Sequence, residues 1–178
     1  MSFIKIYDNV LTVQQCESLV RLYEASDQKE YHDNLQCPQF HQIKIDCQNT
    51  QRALSQLVMM ILAEYAKDCG CSETFPETRH LEQFRVKKYE PNSGDQFALH
   101  IDAASSESAD RYAALLFYLN DDFEGGETEF FFGDDKVVVK PKTGSVVVFP
   151  PMWMYPHAGL PVTGSSPKYI LSTYARFS

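Results

Sequence analysis

The sequence predicts an α+β fold with a mainly β core: N-terminal helices packed outside a closed barrel or a double-sheet jelly roll. Three observations predict it. Apolar residues recur at helical spacing up to about residue 75 and with a period of two from Glu77 onward. The later half is punctuated by glycine and proline at short intervals, as many short strands require. No helical pattern interrupts those strands, so helices and sheet are segregated along the chain. With 178 residues the chain fits one domain, 1–178, divided into a helical support over about 1–75 and a β-core over about 80–178.

The elements follow in order. Phe3 to Tyr7 alternates and predicts a short strand. Thr12 suits a helix N-cap, with Gln15 three residues on as its capping-box partner. Val13, Cys16, Leu19, Val20, Leu22 and Tyr23 then mark one apolar helix face. Residues 51–68 repeat the pattern through Leu54, Leu57, Val58, Ile61, Leu62 and Tyr65, and Gly70 ends that helix. Between the helices, 27–49 read as polar and irregular. Strands are expected near 80–90, 96–101, 112–119, 128–132, 136–140, 145–149, 154–158 and 168–177. Gly125-Gly126 reads as a tight turn needing positive φ rather than a phosphate loop, because no helix N-terminus follows it.

Composition narrows the function. The chain is 44% apolar and 22% charged, ordinary for a globular protein. A net charge of −8 and the lack of any basic run exclude nucleic acid as a direct partner. The opening MSFIKIYDNV has no charged head followed by an apolar stretch, so no secretory signal is expected. No apolar run approaches the ~20 residues that a membrane span needs. The five cysteines, Cys16, Cys37, Cys47, Cys69 and Cys71, match no disulfide or metal framework and read as reduced thiols of a cytoplasmic protein. Cys69 and Cys71 would be half of a zinc site, but no second pair follows.

The chemistry centres on His100-Ile101-Asp102. On an extended strand, two residues of spacing put both side chains on one face, roughly 7 Å apart. His157, from a distant strand, adds a second imidazole near the same mouth of the barrel. Two histidines and one carboxylate on one side of a metal leave open positions, the ligand set of non-haem Fe(II) oxygenases. A lone histidine reads otherwise, as a hydrogen-bonded core residue, and His32, His41 and His80 are taken that way. An oxygenase of this kind needs an electron-donating co-substrate, and a dicarboxylate needs a cation inside the barrel. Lys168, opening the last strand, supplies one; Ile170, Ser172, Tyr174 and Arg176 share its face. Arg176 is the rival, but it lies about 26 Å farther along an extended strand. The plain alternative for Lys168 is a solvated residue after the Gly164–Pro167 turn. Trp153, Met154 and Tyr155 either line the mouth or pack at a strand edge. Arg85 and Arg111 are candidates for touching substrate.

Several segments in order resemble one family. Tyr89-Glu90-Pro91-Asn92-Ser93-Gly94-Asp95-Gln96-Phe97-Ala98-Leu99-His100-Ile101-Asp102 is followed by Leu116–Asp121, Glu124-Gly125-Gly126-Glu127-Thr128, Val139–Gly144, and His157–Gly164 leading to Lys168-Tyr169. Asp8–Leu11, with Cys16 in the helix after it, adds to the match. The whole is similar to the 2-oxoglutarate- and Fe(II)-dependent oxygenases, specifically the prolyl 4-hydroxylase-like branch. Two departures stand out: the segment from Tyr89 to His100 is about two residues longer than the branch pattern, and Asp95 breaks its Gly-Gln pair.

The resemblance implies a double-stranded β-helix in which His100, Asp102 and His157 bind Fe(II). It implies that Lys168 and Tyr89 hold the distal carboxylate of 2-oxoglutarate, with Tyr174 near the iron. The implied reaction consumes O2 and 2-oxoglutarate, releases succinate and CO2, and hydroxylates a C–H bond, with ascorbate an optional reductant. Peptidyl proline is the implied substrate, its choice set by residues 26–50 and 103–111. Alternatives are a free amino acid or small metabolite, a non-catalytic binding or sensing barrel, and a cupin-like enzyme without 2-oxoglutarate. Oligomeric state is not legible.

Overall fold

The computed structural model describes residues 2–33 and 39–177. In chain order its elements are β1 (Lys5–Tyr7), α1 (Val13–Glu24), β2 (Glu30–Asp33), β3 (Gln39–Lys44), α2 (Gln48–Asp68), β4 (His80–Leu81), β5 (Arg85–Tyr89) and β6 (Phe97–His100). There follow β7 (Arg111–Tyr118), β8 (Glu124–Gly125), β9 (Thr128–Phe132), β10 (Asp135–Val139), β11 (Val146–Phe149), β12 (His157–Gly159), β13 (Val162–Thr163) and β14 (Lys168–Arg176). The larger sheet runs β1-β11-β7-β14-β5-β3-β2, with β4 alongside β14. The smaller runs β10-β9-β12-β6, and β13 pairs with β8. Every pairing is antiparallel, giving the expected double-sheet jelly roll.

Helix α1 begins as its sequence dictates. Thr12 Oγ1 accepts the Gln15 N–H at 3.2 Å, and the Thr12 N–H donates to Gln15 Oε1 at 2.8 Å. Its buried stripe is narrower than the periodicity suggests: Cys16, Leu19 and Tyr23 are inside, whereas Val13 and Leu22 are exposed. Helix α2 starts three residues before its apolar pattern, because its first turn is polar and uncapped by a side chain. Gly70, at φ +66°, ends it, with the Cys71 N–H donating to the Ala66 carbonyl.

Strand parity divides the interior in two. On β7, Ala113, Leu115 and Phe117 join the helices in one cluster, while Ala114 and Tyr118 point between the sheets. Strands β11 and β14 alternate likewise: Val146, Val148, Tyr169 and Leu171 face the helices; Val147, Phe149, Ile170 and Tyr174 face the barrel. These strands are apolar on both faces because both faces are covered, which explains the unbroken Val146–Phe149 run.

Residues 27–49 differ from the expected irregular stretch. Strands β2 and β3 pair antiparallel and extend the larger sheet beyond β5. As an edge hairpin they carry polar residues on their open side, which hides the alternation. The chain between them, including Cys37, lies outside the described residues. Cys16, Cys47, Cys69 and Cys71 are free thiols. Among the described residues no helix is long and apolar enough to cross a membrane.

Gly144 pins the N-terminal segment to the core. Its carbonyl accepts the N–H groups of Val10 and Leu11 at 2.9 and 3.1 Å. Its φ is +78°, and a Cβ there would lie 2.2 Å from the Leu11 carbonyl oxygen, so only glycine fits. Gly144→Ala is expected to cost about 2–4 kcal/mol, combining left-handed strain with a backbone clash. Urea unfolding should show a lower midpoint at unchanged slope; an unchanged midpoint would remove Gly144 from this role.

Candidate metal centre

The smaller sheet sets the imidazoles against each other. His157 on β12 is the register partner of His100 on β6, and their ring centroids lie 4.2 Å apart. Asp102 lies just past the end of β6 rather than on it, held there by its N–H donating to the Pro151 carbonyl at 3.1 Å. One Asp102 oxygen lies 3.4 Å from His100 Nε2 and the other 3.4 Å from His157 Nε2. One ligand atom from each residue falls within 4.8 Å of the others, and among the described residues they form the one His/Cys/Asp/Glu group able to hold a metal ion.

Both rings are oriented by backbone. His100 Nδ1 bonds the Ala98 carbonyl at 2.7 Å, and His157 Nδ1 bonds the Tyr155 carbonyl at 3.0 Å. Each ring therefore keeps Nε2 as its lone-pair nitrogen, the arrangement that metal-bound histidines show. His100 Nε2 and Asp102 Oδ2 are buried without a hydrogen-bond partner. Orphaned buried acceptors cost about 1–3 kcal/mol each, and a cation at the point where they converge removes that cost. The donor set thus fits a divalent metal such as iron.

The surroundings fix the carboxylate. Tyr174 donates its hydroxyl to Asp102 Oδ1 at 2.8 Å. Burial alone would raise the Asp102 carboxyl, but the neighbouring His100 and His157 rings and the Tyr174 hydroxyl outweigh it and hold the group at about 2. Burial lowers His157 to about 4, against the pull of Asp102. Arg111 is spent on structure rather than free for substrate: it grips Glu82 at 2.5 and 2.8 Å and the Asp102 carbonyl at 2.7 Å, and its guanidinium lies 4.0 Å from the Tyr174 ring centroid.

Lys168 is buried, not solvated. It is the register partner of Tyr89, and its Nζ lies 5.3 Å from that ring's centroid. The ammonium donates to the Gly126 carbonyl at 2.6 Å. Gly126, at φ +68°, has no room for a side chain: a Cβ would sit 2.9 Å from Phe123 and 3.2 Å from Lys168. Lys168, Tyr89, Tyr174, Thr128 and the three candidate ligands line one small, partly open cavity. The rival Arg176 is tied to Asp110 at 2.6–2.8 Å, beyond a bulge in β14.

Other expectations need correction. His32 and His80 are exposed, and His41, on the edge strand β3, is only half-buried, so none is a hydrogen-bonded core residue. Trp153 and Met154 are exposed, at 73% and 47%, and line neither the cavity nor its mouth; only Tyr155 packs, against Phe132. Asp95, the break in the family pattern, is buried and accepts the Glu90 N–H at 2.9 Å, closing the turn before β6. A roomier cleft between α1 and α2 has no ionisable side chain in its lining.

The sequence reading missed Lys87. It lies between Arg85 and Tyr89 on the inward face of β5, buried, with its Nζ 4.8 Å from the Phe40 ring and 5.6 Å from the Phe97 ring. The available signal was parity with Tyr89.

Burial holds Lys87 at about 8, with Asp102 opposing the shift, and Lys168 at about 7. An unfolded chain keeps both protons up to the ordinary lysine value near 10.4. Between pH 7 and 10 the unfolded state therefore binds more protons, and the metal-free fold gains stability as pH rises. Each lysine should contribute a slope of about 1 kcal/mol per pH unit where it differs most. Urea unfolding at pH 7, 8 and 9 should show this rise, and Lys168→Met should flatten it; equal slopes in both proteins would rule the shift out.

The model of the 2OG-Fe(II) oxygenase superfamily matches residues 84–176, just over half of the chain. No curated protein sequence matches. Among solved structures, a viral collagen prolyl hydroxylase from Paramecium Bursaria Chlorella virus-1, in complex with 2OG, aligns at TM-score 0.76 and 21% identity, over 99% of this chain and 97% of that one. A prolyl-4-hydroxylase from Pseudomonas putida aligns at 0.75 and 20%, over 98% and 92%. A prolyl hydroxylase from Trichoplax adhaerens, in complex with a hypoxia inducible factor oxygen degradation domain peptide fragment, aligns at 0.73 and 16%, over 97% and 83%.

Proposed function

The chain belongs to the 2OG-Fe(II) oxygenase superfamily, and from that premise we propose that it hydroxylates peptidyl proline, with His100, Asp102 and His157 holding Fe(II) and Lys168 holding 2-oxoglutarate. It is a dioxygenase. When bound, Fe(II), 2-oxoglutarate and O2 supply the oxidising chemistry: the co-substrate is cleaved to succinate and CO2, one oxygen atom entering succinate and the other a substrate C–H bond.

The observation that carries the reading is the convergence of two backbone-oriented imidazoles and one buried carboxylate with orphaned acceptor atoms. The protein's own part is positional. Tyr174 occupies one oxygen of Asp102 and leaves the other turned inward. Lys168 and Tyr89 place a cation and a phenol at the inner end of the cavity, suited to a distal carboxylate. A dianion there would restore the charge that burial disfavours on Lys168, so co-substrate uptake above pH 7 should draw in a proton. The proline assignment is supported by the branch-level resemblance and by the prolyl hydroxylases that share this fold. A cytoplasmic setting, with a reducing milieu, is supported by the free thiols of all four cysteines among the described residues.

Anaerobic addition of 2-oxoglutarate to the Fe(II)-loaded protein should give a metal-to-ligand charge-transfer band. His157→Ala should lose it, and Lys168→Ala should weaken co-substrate binding about ten- to a hundredfold while sparing iron, the range for a bond to a charged group. In air, with and without ascorbate, succinate release and a +16 product on proline peptides should depend on Fe(II), O2 and 2-oxoglutarate. A wild-type protein without the band would sink the cofactor assignment; succinate without hydroxyproline would sink the substrate.

A further inference from the structure

Adjoining the small cavity is an open groove of about 420 Å³, lined by Phe40, Arg85, Lys87, Phe97, His100 and Asp102 among others. That volume suits a small ligand or one residue of a peptide. Lys87 lines both spaces and so stands where the groove meets the candidate metal ligands.

Lys87 is an expensive residue with no structural return. It is 6% exposed, and among the described residues no hydrogen bond or ion pair reaches its Nζ. The charged groups around it are Asp102 and Glu82, opposed by Arg85 and Arg111. Both acids are committed: Asp102 to the metal ligand set and Tyr174, Glu82 to Arg111. The rings of Phe40 and Phe97 face the ammonium, but such contacts give only about 0.5–2 kcal/mol. Burying an ammonium costs several kcal/mol, and a methionine would fill the same space without that cost. Arg85, two residues before it on the same strand face, is similarly unspent. It donates to the Gln83 carbonyl at 3.2 Å, and its nearest carboxylate, Glu82 at 3.9 Å, is already held by Arg111. In a chain of net charge −8, the groove is lined by three cations, Arg85, Lys87 and Arg111, of which only Arg111 is gripped by a carboxylate, and by no carboxylate beyond Asp102.

We propose that the substrate carries a carboxylate close to the carbon that is hydroxylated, and that Lys87, assisted by Arg85, seats it. The inference rests on the oxygenase reading above and adds a substrate class to it. Lys168 already provides a cation at the inner end of the cavity, beside Tyr89, so Lys87 is left for the substrate side. The carboxylate has two sources within reach of this chemistry: the α-carboxylate of a free or C-terminal residue, or an acidic side chain next to the target.

The test pairs acids with their amides. Calorimetry on protein loaded with Mn(II) and 2-oxoglutarate would compare L-proline with L-prolinamide, and a proline-terminated tripeptide with its C-terminal amide. A peptide amide with Asp beside proline, and a panel of other free amino acids with their amides, complete the set. Turnover of the same probes by the Fe(II) enzyme would be followed by mass spectrometry. Wild type should favour acids over amides by about ten- to a hundredfold, as for a hydrogen bond to a charged group. Lys87→Met should bind both alike, Arg85→Met should lose part of the preference, and Lys87→Arg should keep part. Preference for L-proline or the tripeptide acid identifies the α-carboxylate; preference for the Asp peptide identifies the side chain.

The charge-transfer band with 2-oxoglutarate serves as the control for folding and co-substrate loading. Its loss in Lys87→Met would assign the lysine to the co-substrate and overturn the proposal. So would equal affinity of wild type for every acid and amide, or an unchanged preference in Lys87→Met. Failure of the proline reading would look different: acids other than proline would show the Lys87-dependent preference, and the proposal would stand. Absence of succinate from every arm would sink the oxygenase reading, while the calorimetry still decides on Lys87.

Discussion

The antiparallel register of β14 between β5 and β7 is the constraint on which the site depends. That strand is hydrogen-bonded along both edges and covered on both faces. A slip of one residue would send Lys168, Ile170, Ser172 and Tyr174 toward the helices and bring Tyr169, Leu171 and Thr173 into the barrel. The buried Lys168 ammonium, the hydroxyl on Asp102 and the inner apolar wall would all be lost at once. Leu171 and Ala175, fully buried against the helices, hold the strand in its register from the other side. Helices α1 and α2 thus serve the chemistry without touching it.

Electrostatically the molecule is inverted. Its surface is acidic, yet between the sheets Lys87 and Lys168 outnumber the one buried carboxylate of the ligand set. Such an interior is unfavourable for the empty protein and favourable for anionic guests. It places the free energy of burial where binding of a dicarboxylate recovers it. Arg111 and Arg176 show the contrast: their charges are neutralised within the protein by Glu82 and Asp110, and they anchor the strand ends around the mouth.

Much of this was legible in the sequence. The shift from helical to alternating periodicity located the β-half, the Thr12–Gln15 box located α1, and His100, Asp102, His157 and Lys168 converge as their spacing suggested. What was not legible has physical causes. The hairpin of β2 and β3 lies at a sheet edge, where one polar side erases the alternation that marks a strand. Helix α2 outruns its apolar pattern because its first turn is solvated. Lys87 was hidden because a lysine within a strand reads as a solvent-facing residue, and only the closed curvature of the barrel turns its side inward. Trp153 misled in the opposite direction: a large aromatic suggests packing, but the turn before β12 leaves it in water.

The imidazoles of His100 and His157 take their orientation from the main-chain carbonyls two residues before each, Ala98 and Tyr155. A carbonyl belongs to the backbone and survives any change of side chain at those positions. The orientation of the two imidazoles is therefore insulated from a change of side chain at 98 or 155; Phe97, stacked on the His100 ring with centroids 3.5 Å apart, is the neighbour that does constrain it. A barrel built this way can exchange one substrate for another over evolutionary time while its oxidising centre stays the same.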